Sequence, residues 1–149
     1  RNSSDAGGGI YNAEQSSVTL SSTGDFGGES TNTAALYAPG IYNSGELRAE
    51  NTRVITNGVY LSSRNSIVRI VGPLATGSRI QIDGSGYVSP NDAGIPIVIA
   101  EAAPPYRQLT ETDRESFLKP PSGFDGWEIR LSGDLTQVLL APPGPGAGE

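Results

Sequence analysis

At 149 residues the chain has the length of one ordinary domain, and its 20 Gly, 11 Pro and 17% charged residues describe a turn-rich polypeptide whose apolar share favours Val and Ile. It contains no Cys and no His, which excludes disulfides, thiol chemistry, a Ser-His-Asp triad and a His-based metal site. A formal charge of -6 with scattered basic residues argues against a nucleic-acid partner, and no apolar run approaches the ~18 to 20 residues of a membrane span.

Residues 1–77 repeat themselves. "NSSDAGGGIYN" (Asn2 to Asn12) lies over "NTAALYAPGIYN" (Asn32 to Asn43): a polar segment, small residues, a glycine, then Ile-Tyr-Asn. "NGVYLS" (Asn57 to Ser62) is a third, degraded copy. Ile10 to Ile41 is 31 residues and Ile41 to Val59 is 18, so the first repeat carries a longer excursion, assigned to "SSTGDFGGES" (Ser21 to Ser30). Between the glycines lie the strand-like segments "SVTL" (Ser17 to Leu20), "GELRAE" (Gly45 to Glu50), "TRVIT" (Thr52 to Thr56), "SIVRIV" (Ser66 to Val71) and "SRIQID" (Ser78 to Asp83). The last alternates, with Ile80 and Ile82 on one face and Arg79, Gln81 and Asp83 on the other.

Segments this short must bury their apolar faces against copies of themselves. Coiling the chain so that equivalent strands stack as parallel rungs gives Ile10, Ile41, Val59, Ile67 and Ile80 a shared interior. Glycines before each Ile are expected to turn the corners with positive φ, and the Asn side chains to form an amide ladder. The expected architecture is a parallel β-solenoid.

Residues 78–141 are read as the last rungs and a C-terminal cap. "GIPIVIA" (Gly94 to Ala100) predicts a buried strand, and "LTETDRESFLKPP" (Leu109 to Pro121) predicts one short helix over Asp113 to Leu118, begun by the box Thr112 to Glu115 and stopped by Pro120. "WEIRL" (Trp127 to Leu131) and "TQVLL" (Thr136 to Leu140) predict a hairpin joined by Ser132-Gly133-Asp134. Residues 142–149 form a Pro/Gly-rich tail.

"GGGIYN" after an Asn/Ser/Thr-rich connection resembles the repeats of bacterial right-handed parallel β-helix surface proteins, the polymorphic outer-membrane and adhesin-like group with Gly-Gly-Gly-Ile-Tyr-Asn repeats. "RIQIDG", an apolar strand, an acidic turn ending in Phe117 and the "WEIRL" hairpin resemble the non-repeating C-terminal piece that follows such repeats. The resemblance implies export, an all-β right-handed β-helix with a strand and hairpin cap, and a structural or adhesive role with no catalytic residues. The absence of Met and the start at Arg1 also favour a processed protein, secreted or at the cell surface, over an excised cytosolic fragment.

The chemical candidates each have a plainer explanation. Asp83, Asp92 and Asp113 are oxygen ligands for Ca²⁺ on one reading, with Arg79 beside Asp83 as in a polysaccharide lyase; on the other they are two turns and a helix start. Nothing fixes two carboxylates at the separation that glycoside hydrolysis needs. Tyr11, Tyr42 and Tyr60 occupy one place in three copies and alternate with inward Ile or Val, so they are expected to form an outward ring column, the candidate interaction surface. Trp127 is expected to seal the hairpin end.

The expectation is therefore a non-enzymatic structural or adhesive component without a cofactor. Its partners are copies of itself or further repeats at an open solenoid end, with head-to-tail filament assembly as the extended form. The alternative is a carbohydrate-binding or polysaccharide-degrading β-helix with a glycan in a groove of acids and aromatics.

Overall fold

A computed structural model of the chain describes residues 3–6, 9–20, 24–26, 33–37, 40–50, 54–63, 66–83, 95–120 and 123–142, with backbone alone at 3–6, 24–26, 33–37 and 54–57. The expected Asn91-Asp92 turn and residues 143–149 of the tail lie outside the described residues.

The class is all-β with one short helix. In chain order the strands are β1 (Ser3–Ala6), β2 (Ile10–Asn12), β3 (Ser17–Leu20), β4 (Gly24–Phe26), β5 (Thr33–Tyr37), β6 (Ile41–Asn43), β7 (Glu46–Ala49), β8 (Val54–Leu61), β9 (Val68–Ile70), β10 (Arg79–Ile82) and β11 (Ile97–Ala102). The helix α1 (Glu111–Glu115) follows, then β12 (Phe117–Leu118), β13 (Glu128–Leu131) and β14 (Gln137–Ala141). One sheet runs β12-β10-β8-β6-β2, with β4 also on β8, and all of its pairings are parallel. A second runs β13-β14-β11-β9-β7-β3, parallel except where the expected β13–β14 hairpin folds back antiparallel onto β11. β1 and β5 form a small parallel pair.

The repeats pair copy on copy. Ile10 faces Ile41 and Ile41 faces Val59; Tyr11, Tyr42 and Tyr60 align likewise; Asn12 aligns with Asn43 and Asn43 with Leu61. Period-two alternation then buries Ile41 and Asn43 while Tyr42 between them is only partly covered. Both sheets contribute to one apolar cluster that runs from Leu20, Ile41 and Leu47 through Ile70, Ile82 and Ile99 to Phe117, Trp127 and Leu140.

Several expectations are corrected. "TRVIT" and "NGVYLS" are one strand, β8, and a bulge sets Ile80 against Thr56 but Ile82 against Val59. The extra residue passes the column from Val59 to Ile82, so Ile80 is buried one step aside. The first repeat's excursion contains strand β4, paired with the first half of β8. The helix begins two residues earlier than the Thr112 box implies: Thr110 is its N-cap, and Asp113 closes the box. Phe117 and Leu118 leave the helix to pair with Ile80 and Gln81, because Phe117 reaches the core from an extended backbone. Ile95 of "GIPIVIA" is exposed, and the buried strand starts at Ile97. Among the described residues positive φ occurs at Gln15, Leu135, Gly77, Gly123 and Gly126, and not at the glycines preceding Ile10, Ile41 and Val59. Those glycines do not turn the chain through a left-handed conformation.

Candidate functional site

The edge formed by β2 and β3 ends both large sheets on the N-terminal side among the described strands. Backbone bonds carry the ladder past the strand ends: Ser44 N donates to Asn12 O at 2.9 Å, Glu46 N to Ser16 O at 2.8 Å, and Ser62 N to Asn43 O at 3.0 Å. The turn after β2, residues 13–16, has Gln15 at φ 65 and lies directly on Gly45. A Cβ at Gly45 would stand 2.2 Å from Ser16 O and 2.4 Å from Ala13 O, so only glycine admits this approach.

Beneath the edge runs the expected amide ladder. Asn12 Nδ2 donates to Asn43 Oδ1 at 2.7 Å and to Glu46 O at 2.9 Å, while Asn43 Nδ2 donates to Ser66 O at 3.0 Å. Each carboxamide points its nitrogen toward the C-terminal side, so its oxygen turns to the edge. The ladder stops where the third copy carries Leu61 in place of Asn. At the other end Asn12, only 1% exposed, keeps an oxygen with no partner. Rotating the amide would set that oxygen against two acceptors, so the network itself fixes the orientation.

On the opposite face of these strands the tyrosines stack as expected. Tyr11 and Tyr42 have ring centroids 4.9 Å apart and planes 6° from parallel; Tyr42 and Tyr60 follow at 5.1 Å and 22°. Tyr11, at the edge, is 59% exposed.

A groove of about 510 Å³ opens where β2, β6 and β8 turn into β3, β7 and β9, lined by residues that include Glu14, Ser16, Ser44, Glu46, Ser66 and Arg69. Its lining hydroxyls are tied down: Ser44 Oγ donates to Ser62 Oγ, outside the lining, at 2.9 Å, and Ser63 Oγ lies 3.1 Å from Ser66 Oγ. Arg48 and Arg69 are register neighbours, a like-charge contact relieved by Glu46, 3.1 Å and 4.0 Å from them, and by Glu101, which pairs with Arg69. None of Tyr11, Tyr42 and Tyr60 lines this groove, so the acids and the aromatic column do not converge.

The acidic candidates separate. Asp113 is fully buried and accepts from Leu74 N at 2.9 Å, Tyr106 Oη at 2.6 Å, Thr110 N at 2.9 Å and Thr110 Oγ1 at 3.2 Å, a set that ties α1 to the turn before β10. Burial first, then the hydrogen bond to Asp113 and its charge, push the Tyr106 phenol up to about 12. Asp83 lies at the end of β10, where its N–H donates to Val59 O at 2.8 Å, and Arg79 is exposed on the same strand. Asp92 lies outside the described residues. Among the described residues no group of three or more acids gathers as a metal site would require. Trp127 is buried at the entry to the hairpin, edge-on to Phe124 with centroids 5.2 Å apart.

Asp113 belongs to the helix start, as expected from the sequence; what sequence reasoning missed is the frame of the box and the burial of the carboxylate, although Thr110-x-x-Asp113 has the capping-box spacing and was the available signal. Sequence reasoning also missed the demand for glycine at position 45, which arises from a turn 29 to 32 residues earlier in the chain. No protein-family model matches the chain, nor does any curated protein or solved structure. No described helix is long and apolar enough to cross a membrane.

Proposed function

We propose that the strands wind as a right-handed parallel β-helix, with α1 and the β13–β14 hairpin as its C-terminal cap, and that the chain is a non-enzymatic structural or adhesive component of a bacterial cell-surface or extracellular structure. The observation that carries this reading is the in-register stack of three repeat copies, with amides laddered on one face and tyrosine rings on the other. Such repetition propagates one local solution along an axis, as a structural element does. The Gly-Ile-Tyr-Asn motif supports kinship with the β-helix surface proteins it resembles, and a secreted or surface location belongs to the same proposal. Among the described strands none pairs with the outer side of β2 and β3, which supports extension by further repeats or by other copies, with filaments as the extended form.

Electron microscopy and surface immunolabelling of the native material test this. Elongated, cell-surface particles are expected; short discrete monomers inside the cell under all conditions contradict it. The serine-rich groove with Glu14, Glu46 and Arg69 favours a second reading, a glycan-binding β-helix. Saturable binding on a glycan array, lost in Glu46→Gln, would select that reading.

A further inference from the structure

The coverage of equivalent residues falls toward the β2 edge. Ile41 is fully buried while its register mate Ile10 is only partly so, and Leu47 is buried while its mate Val18 is not. Tyr11 has one ring face on Tyr42 and is otherwise largely exposed. Asn12 is almost wholly buried, yet among the described residues its Oδ1 is one of two buried side-chain polar atoms without a hydrogen bond. The other, Arg48 Nε, at least lies 3.1 Å from the Glu46 carboxylate. A buried acceptor left unpaired is costly, and here it sits on the edge side of a ladder in which Asn12 donates to Asn43 and Asn43 to Ser66 O.

We infer that this edge is a receptor for one further repeat strand, parallel to β2, whose Asn carboxamide donates to Asn12 Oδ1 while its Tyr covers Tyr11 and its Ile or Val covers Ile10. The inference rests on the proposed reading of the repeats as a stack, and it narrows what the edge accepts. A second copy meeting edge to edge does not fit: both hydrogens of Asn12 Nδ2 are already donated, to Asn43 and Glu46, so two such edges present acceptor to acceptor. The far end of a second copy does not fit either. There the same sheet ends in β12, Phe117 and Leu118, with no side-chain donor to offer. The matching chemistry is a strand that reads aliphatic, aromatic, carboxamide, as β6 does.

The probe is a fluorescein-labelled peptide of residues 33–50, which reproduces β6 and β7, titrated against the full chain and followed by anisotropy. Saturable binding is expected. The Asn43→Leu peptide, which leaves the protein untouched, is expected to bind about tenfold more weakly. Asn12→Leu in the protein is expected to remove the difference between the two peptides. Equal affinity of the two peptides, or no saturable binding, overturns the inference. So does self-association of the chain, by light scattering, that Asn12→Leu abolishes, since the occupant would then be a second copy. Thr19 on β3 and Arg48 on β7 are register partners in the second sheet and take no part in the amide ladder, and a Thr19→Cys, Arg48→Cys pair tests the stack separately. A disulfide that forms while the peptide fails to bind sinks the inference and leaves the stack standing; no disulfide sinks both.

Discussion

The repeat region and the C-terminal region are held together by different means. From β2 to β8 the contacts are copies of one another: amide on amide, ring on ring, and backbone bonds that link equivalent residues. From β10 onward no such repetition is found among the described residues. There a buried carboxylate takes four hydrogen bonds, Phe124 and Trp127 pack edge to face, and an antiparallel hairpin closes the second sheet. On the proposed reading, repetition gives a region that is extensible at one end, whereas the unique contacts give one that terminates. The carboxamide ladder has the same asymmetry, stopped at Leu61 and open at Asn12.

Substitutions separate the two modes. The largest effect is expected in the C-terminal region: Asp113→Ala strands several buried donors and should lower unfolding free energy by about 3 to 5 kcal/mol in urea titration. Asp113→Asn, which keeps the shape and some of the acceptance, should fall between. In the repeat region Asn43→Ala removes the acceptor for Asn12 and the donor for Ser66 O, and about 2 to 3 kcal/mol should be lost in the same titration.

Gly45→Ala should cost about 2 kcal/mol, because backbone oxygens rather than a flexible side chain occupy the space; a melting temperature equal to the parent's would contradict the packing of the residue 13–16 turn. Tyr42→Leu removes stacking on both ring faces and should cost about 1 kcal/mol.

The smallest effect is confined to alkaline solution. The folded Tyr106 phenol holds its proton up to about pH 12, against 10 for the ordinary group. Its contribution to stability is complete below pH 10 and is lost as pH rises toward 12. Stability measured over that range should fall, and the fall should be shallower in Tyr106→Phe.

Much of the repeat region was legible in the sequence because a repeat writes its own register. Once Ile10-Tyr11-Asn12 is laid over Ile41-Tyr42-Asn43, the pairing, the ring column and the amide ladder follow from period-two alternation. What escaped depends on neighbours distant in the chain. The merging of two segments into β8 needs a bulge whose partner is β10, and no local pattern in Thr52 to Ser62 encodes it. The helix frame turned on whether the carboxylate of Asp113 faces water or Leu74, and two overlapping capping boxes left that open. The glycines before Ile10, Ile41 and Val59 were read as positive-φ corners from residue type alone, but left-handed backbone falls elsewhere. At the candidate edge the tyrosines could be found by alignment of the copies. The unpaired oxygen of Asn12 could not, since it depends on which way one amide is turned.

The central claim is that residues 31 positions apart are stacked through their side-chain amides. Side-chain amide NMR with hydrogen exchange reads this directly. The Nδ2 protons of Asn12 and Asn43 should show mutual nuclear Overhauser contacts and exchange far more slowly than a free carboxamide. Exchange at the free rate with no contact between the two would contradict the stack, and the proposed function would fall with it.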